Sequence, residues 1–275
     1  MSGIFTYEFM RNAFLAGTAL SVLCGLVGYY LVLRHEAFAG ESLSDIAFTG
    51  ALGFAVAGFS PLLGMFAATG AAAAGMASLG KRLRERDVTT GVVLAGVLGL
   101  GVLFLSLFSR GAGRNSGTSG TSVLFGGILS ITGGQAWLLA GIAALIAAAL
   151  LAMSKPLFFA SVDPEVAAAR GVHVRTLGFV YTLLLAVTVV EAVQAVGVLL
   201  VFALLLLPAA AAHELTTRRG VGLALAAALT IASTWLGLVV GYYTGLPISV
   251  CISLLAFAMY AIAAGRRRVL RPGRA

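Results

Sequence analysis

Two carboxylates four residues apart, Glu41 and Asp45, are the side chains whose types and spacing best suit chemistry. Residues at this spacing lie on the same face of a helix, so the two side chains can converge on one point. They stand at the start of an apolar stretch, in a sequence that otherwise keeps charge out of such stretches. An ionised group within a bilayer is costly and is retained where it has a function. The pair therefore predicts the binding of a cation, and acidic residues favoured by the dipole at a helix N-terminus are the alternative.

The composition indicates that a lipid bilayer is the solvent for most of the chain. Of its 275 residues, 60% are hydrophobic and 10% are charged, whereas about one quarter of an ordinary globular domain is charged. Long apolar stretches recur from end to end, which predicts an all-α, polytopic membrane protein with a single transmembrane domain, residues 1–275. A β-barrel would instead alternate over short segments. The net charge of +8 comes from short basic clusters between apolar stretches, so it does not indicate nucleic-acid binding.

The apolar stretches predict eight membrane crossings or nine. A crossing needs about 20 residues, so residues 46–79 are too long for one straight helix. Pro61 interrupts this stretch, because proline kinks or ends a helix and restricts the residue before it. One crossing by this stretch gives eight in total with the N-terminus inside, the count we prefer, and two crossings give nine with the N-terminus outside. The other spans are predicted at 13–33, 89–108, 135–153, 177–191, 196–212, 221–242 and 247–264.

The connectors between these spans carry most of the basic residues and are predicted to face the cytoplasm. They include residues 81–87, the loop 154–175 and the tail 265–275. A Gly/Ser-rich loop, residues 110–122, carries no recognisable site. These connectors are where we expect soluble partners to bind.

A short helix is predicted inside the loop 154–175. Asp163 suits the N-cap, Pro164 the first helical position and Glu165 the first turn. Alanines follow, then Arg170, and Gly171 suits the end of the helix. An exposed helix of this kind can dock into a groove on another protein, and a capped surface turn is the alternative.

Two further residues are notable for their positions in the predicted spans. Pro208 lies near the end of the span 196–212, where it predicts a kink or an interrupted hydrogen-bond ladder. Glu191 lies at the end of the preceding span. It is either a third carboxylate that points into an ion path or an interfacial glutamate that contacts water.

Three segments, taken together and in order, resemble the membrane subunit of the bacterial ABC importers for zinc and manganese, the ABC-3 permease family. They are GESLSDIAFTGALGF (40–54), DPEVAAARGV (163–172) and QAVGVLLVFALLLLPAAAA (194–212). The family patterns are a G-D-x-L-S-H-A-like segment, a D-P-x-x-A-x-x-x-G loop and a V-G-x-L-L-V-x-A-L-L-x-x-P-A-A stretch. In the first pattern Glu41 stands where the family usually has Asp, and Asp45 stands where it usually has His.

The resemblance implies that Glu41 and Asp45 coordinate the transported ion and that residues 164–171 form the coupling helix that docks on the ATPase. Expected partners are a cytoplasmic ABC ATPase, an extracytoplasmic metal-binding protein, a second copy of the chain and membrane lipid, in the plasma membrane of a bacterium. No permanent cofactor is expected, since the metal is cargo. An all-oxygen site favours manganese, with zinc second. Clustered carboxylates stay ionised only with a cation among them, so uptake should weaken at acidic pH.

Two other classes of function were weighed against this one. A secondary transporter driven by an ion gradient would use Glu41, Asp45 and Glu191 as proton sites and would leave the predicted short helix without a role. An intramembrane enzyme would need a nucleophile–base pair or a motif such as HExxH, which the sequence lacks. The chain is therefore not expected to be an enzyme, and ATP hydrolysis is expected in a separate subunit.

Overall fold

The computed structural model describes residues 7–79, 87–111 and 126–270, and this part of the chain is all-α. The connector predicted at 81–87 and the loop predicted at 110–122 lie almost wholly outside these residues, as does the end of the basic tail. The helices, in chain order, are α1 Glu8–Leu33, α2 Ala37–Val56, α3 Pro61–Leu79, α4 Asp87–Gly111, α5 Gly133–Ala152, α6 Ser154–Val162, α7 Pro164–Ala169, α8 Val174–Val196, α9 Val198–Leu215, α10 Arg219–Thr244 and α11 Ile248–Leu270, with a 3-10 turn at Ile128–Ser130 before α5.

Length and composition identify the membrane-spanning helices. Within the described residues, six are long and apolar enough to cross a bilayer: α1, α5, α8, α9, α10 and the part of α11 up to Arg266. Shorter apolar segments, Pro61–Met76 and Leu94–Phe108, lie in α3 and α4. The helix α2, which carries Glu41 and Asp45, stands apart from this set. The prediction of an all-α polytopic membrane protein is confirmed.

Two contacts show that α1 and α5 run in the same direction. Near the start of α1, the Asn12 side-chain amide donates a hydrogen bond to the Ile131 carbonyl, at 3.4 Å. Near its end, the Tyr30 hydroxyl donates to the Ser154 carbonyl, at 2.9 Å. Parallel neighbours require an odd number of passes between them, and α2, α3 and α4 supply three. The helix order fits the nine-crossing alternative better than the eight-crossing count, and six of the described helices meet the length and composition of a membrane span.

The helix α3 returns against α2, which is why residues 46–79 make two passes. Near Pro61 the chain turns, and Gly50 of α2 then lies against Gly64 and Ala68 of α3. In turn α4 runs parallel to α2, since Thr49 donates to the Val97 carbonyl at 3.0 Å and, further along both helices, Gly53 lies beside the Phe104 ring. The break at Pro61 is thus confirmed as the start of a new helix.

The basic connectors meet at one end of the helix bundle, which we call the basic end and define by residues 30–36, 154–175 and 213–219. His213, in the last turn of α9, lies 3.0 Å from the Tyr29 carbonyl. Gly178, near the start of α8, lies beside the Arg34 guanidinium. The positive-inside rule predicts that this end faces the cytoplasm.

The helix α1 is the centre of the bundle and packs against α10, α5 and α9. Glycine allows the closest of these approaches: a Cβ on Gly28 would overlap the Leu205 carbonyl of α9, and one on Gly25 would lie 2.6 Å from the Ala227 Cα. Buried polar side chains join the same helices, since the Ser21 hydroxyl donates to the Thr234 hydroxyl at 2.7 Å. Small residues and hydrogen bonds drive helix association where lipid removes the hydrophobic force.

One sequence prediction about a helix end was wrong. The span predicted to end at Glu191 continues to Val196, because the turn is made by Gly197, whose positive φ of 84° suits glycine. Pro208 lies inside α9, which continues through it to Leu215, so the helix lacks the backbone hydrogen-bond donor of this residue. The first part of the basic tail predicted at 265–275 is helical, since α11 extends to Leu270.

Candidate metal site

Glu41 and Asp45 lie on one helix, as their spacing predicts. Both belong to α2, about 6 and 12 Å along its axis from Ala37 at a rise of about 1.5 Å per residue. Each is partly exposed, whereas Leu43 and Ala47 on the opposite side are fully buried. The pair therefore lies on the partly exposed side of α2, in the half of that helix nearer the basic end.

The entry of the chain into α2 is held by charged contacts. Arg34 forms an ion pair with Glu36 at 3.0 Å, and its guanidinium lies 5.1 Å from the centre of the Tyr181 ring of α8. Between them His35 has a positive φ of 55°, which turns the chain sharply from α1 into α2. This corner determines where Glu41 and Asp45 lie relative to α8.

The two carboxylates supply too few ligands for a complete site in one copy. Side chains at this spacing have Cβ atoms about 5–6 Å apart, so both can bind one ion. Among the residues the structure describes, however, no three His, Cys, Asp or Glu side chains are grouped to hold a metal. A metal ion bound by this pair would need further ligands from water, from backbone carbonyls or from a second copy.

Glu191 lies apart from the pair and is buried. It is 2% exposed, so it is not an interfacial glutamate in contact with water. It is 13 residues beyond Gly178, which lies beside Arg34, and so about 20 Å from the basic end. Its Oε1 has no hydrogen-bond partner among the described residues. The structure therefore does not bring Glu41, Asp45 and Glu191 into one group.

The histidines do not add imidazole ligands to the pair. His213 stacks on Tyr29 with ring centres 4.3 Å apart. His173 immediately precedes α8, and His35 is exposed at the corner before α2. All three lie at helix ends, as the sequence predicts.

The short helix predicted in the loop 154–175 is present as α7. An Asp163 carboxylate oxygen accepts a hydrogen bond from the Val166 amide at 3.0 Å, and Pro164 is the first helical residue. Gly171, with φ of 81°, ends the turn. Ala167 is fully buried, whereas Glu165 and Arg170 are exposed. The helix is anchored on its inner face and accessible on its outer face.

The sequence did not reveal α6, the helix that lies before α7. Its segment, SKPLFFASV, lies in the loop 154–175, which the sequence predicts as a connector. The available signal was the spacing of Leu157 and Ala160, both buried and three residues apart. Pro156 obscured it, although a proline in the first turn removes no helical hydrogen bond.

Comparison with known proteins extends over almost the whole chain. The model of the ABC 3 transport family matches residues 6–266. A manganese transport system membrane protein, MntC, of Halalkalibacterium halodurans is 28% identical over 94% of this chain and 88% of its own. A probable iron transport system membrane protein of Haemophilus influenzae is 29% identical over 94% of this chain and 93% of its own. The structure of PsaBC from Streptococcus pneumoniae in complex with Fab superposes with a TM-score of 0.83 at 25% identity, covering 98% of this chain and 97% of that one.

Proposed function

Because the chain belongs to the ABC 3 transport family, we propose that it is the membrane subunit through which an ATP-driven importer passes a divalent transition metal into the cytoplasm. It is a multi-pass bacterial membrane protein, and ATP hydrolysis belongs to a separate subunit. The observation that carries the proposal is the pair Glu41 and Asp45 on the partly exposed side of α2. An extracytoplasmic binding protein delivers the ion to the end opposite the basic end.

The position of the pair supports a path between two copies of the chain. A carboxylate that faces lipid is costly, so the outer face of α2 near Glu41 and Asp45 must be covered or line a water-filled path. A two-fold axis beside this face would bring four carboxylates together. This arrangement supplies the ligands that one copy lacks. The pathway is thus a homodimer interface, with Glu191 as a separate carboxylate further from the basic end.

The ligand chemistry favours manganese, with zinc second. Carboxylate oxygens suit hard cations, whereas imidazole, which suits zinc, is absent from the pair. Manganese is also named in several relatives, from Listeria innocua and Streptococcus parasanguinis among others. One relative is named for iron. We therefore assign manganese as the first ion to test.

The helix α7 is the docking element for the ATPase. Its outer residues Glu165, Val166 and Arg170 are exposed, and the Asp163 cap and Gly171 define its two ends. Replacement of Glu165 and Arg170 should separate ATP hydrolysis from transport. The alternative of a secondary transporter without an ATPase is not supported by the family match, which covers residues 6–266. Co-purification of the chain with its ATPase, with and without these two substitutions, tests the docking role of α7.

The decisive test is metal specificity in the assembled complex. The chain is reconstituted with its ATPase and binding protein, and ATP hydrolysis and uptake are measured with manganese, zinc and iron. Asp45→Asn and Glu41→Gln should each reduce uptake at least tenfold, since each removes a charged ligand. Glu8→Gln, an exposed acid near the start of α1, is the matched control and should transport normally. Normal uptake by the Glu41→Gln, Asp45→Asn double variant would refute the metal site.

A further inference from the structure

The helix α6 has two neighbouring aromatic side chains, and each lies beside an arginine from a different helix. The Arg170 guanidinium, at the end of α7, lies 5.4 Å from the centre of the Phe159 ring. The Arg219 guanidinium, at the start of α10, lies 5.8 Å from the centre of the Phe158 ring. Both distances are within the range of a cation–π interaction.

Consecutive residues of a helix point about 100° apart, so the two rings face different sides of α6. One side faces α7 and the other faces α10. A third side is packed into the bundle by Leu157, which is fully buried, and by Ala160. The first turn of α6 also contacts α1, because the Ser154 carbonyl accepts a hydrogen bond from the Tyr30 hydroxyl. The helix is therefore held at one time by α7, α10 and α1.

We propose that Phe158 and Phe159 make α6 a connector that transmits displacement of α7 to α10 and α1, an inference that rests on the proposed docking of the ATPase at α7. The exposed helix α7 is short, and its own buried contact with the protein is the single residue Ala167. The two cation–π contacts join α6 to α7 and α6 to α10, and so add to the small contact that Ala167 makes. The two phenylalanines are positioning residues, because they act through Arg170 and Arg219.

The geometry predicts different effects for different substitutions at these rings. Phe158→Leu keeps apolar volume but removes the aromatic face, so the contact with Arg219 is lost. Phe158→Tyr keeps the ring and should retain coupling. The same pair of substitutions at Phe159 tests the contact with Arg170. Arg218→Ala is the matched control, because Arg218 is adjacent to Arg219 but exposed, and no aromatic contact to it is found among the described residues.

The experiment compares uptake with hydrolysis in the complex of the full chain with its ATPase and binding protein in vesicles. For Phe158→Leu and Phe159→Leu we expect the ATPase to co-purify normally and basal ATP hydrolysis to persist. Manganese imported per ATP hydrolysed should fall by about two- to fivefold, the factor that corresponds to one accessible cation–π contact. The tyrosine variants and Arg218→Ala should keep the wild-type ratio.

A double-variant cycle separates a connector from a merely structural residue. If the two side chains act through each other, Arg219→Ala should lower the ratio as Phe158→Leu does, and the combined variant should be no worse than either alone. Arg219→Ala alone tests the connector if the leucine variants fold poorly. An unchanged ratio, or effects that simply add, would overturn the proposal. Failure of the ATPase to bind the unsubstituted chain would instead refute the proposed function and is seen before any variant is made.

Discussion

The buried hydroxyl of Tyr30, in the last turns of α1, donates a hydrogen bond to the Ser154 carbonyl at the start of α6, at 2.9 Å. The two residues are 124 positions apart in the chain. This contact defines the basic end of the bundle and joins the central helix to the segment that leads into α7. It is one of two contacts that show α1 and α5 to be parallel.

Removal of this hydroxyl should destabilise the basic end. Tyr30→Phe leaves the aromatic ring in place but deprives a buried carbonyl of its donor, which costs about 1–3 kcal/mol. We expect a lower midpoint of thermal unfolding in detergent, with the helical content unchanged. Tyr243→Phe, at a tyrosine that is 67% exposed, should leave the midpoint unchanged. Equal midpoints for the two variants would contradict the role assigned to the Tyr30 hydrogen bond.

Glu191→Gln tests whether the buried carboxylate takes part in transport. Glutamine has nearly the same shape, so packing is kept while the charge is lost. The unfolding midpoint should be unchanged or higher, because the substitution removes a buried carboxylate whose Oε1 has no hydrogen-bond partner among the described residues. Manganese uptake should fall at least tenfold. Gln194→Ala, an exposed substitution on the same helix, is the control. Normal uptake by Glu191→Gln would exclude Glu191 from the ion path.

Gly28→Ala should separate α1 from α9. The added Cβ would overlap the Leu205 carbonyl, and a backbone atom cannot rotate away as a side chain can. Over-packing of this kind costs about 1–3 kcal/mol. Gly141→Ala is the matched control: it also lies within a helix, and a Cβ there meets no atom within 4 Å among the described residues. The midpoint should fall for Gly28→Ala and be unchanged or raised for Gly141→Ala. The opposite order would contradict the close packing of α1 against α9.

Asp163→Ala should weaken the binding of the ATPase through loss of the cap on α7. An N-cap of this kind contributes about 0.5–2 kcal/mol to its helix. We expect less ATPase to co-purify with Asp163→Ala, and Asp163→Asn to restore the binding, because asparagine also caps helices. Immobilised chain and purified ATPase give the two affinities directly. If the Asp163→Asn and Asp163→Ala variants bind the ATPase equally poorly, the charge of Asp163 contributes more to ATPase binding than its capping hydrogen bond does.

Much of the site could be predicted from the sequence because its signals are local. The spacing of Glu41 and Asp45 places them on one helix face whatever surrounds that helix. The cap at Asp163, the proline after it and the stop at Gly171 likewise act within a few residues. The burial of Glu191 could not be predicted in this way, because it depends on the continuation of α8 to Gly197 and on the helices packed around it.

The sequence by itself determined that the chain lies in a lipid bilayer, that it is helical and which family it resembles. Composition, the length of apolar stretches and short motifs do not depend on contacts between distant residues. Only the tertiary structure decided the direction of α1 relative to α5, and with it the nine passes through the bundle in the described part of the chain. It also decided the separation of Glu191 from the Glu41–Asp45 pair and the position of α6 between Arg170 and Arg219. Each of these depends on contacts between residues far apart in the chain, which periodicity and spacing do not encode.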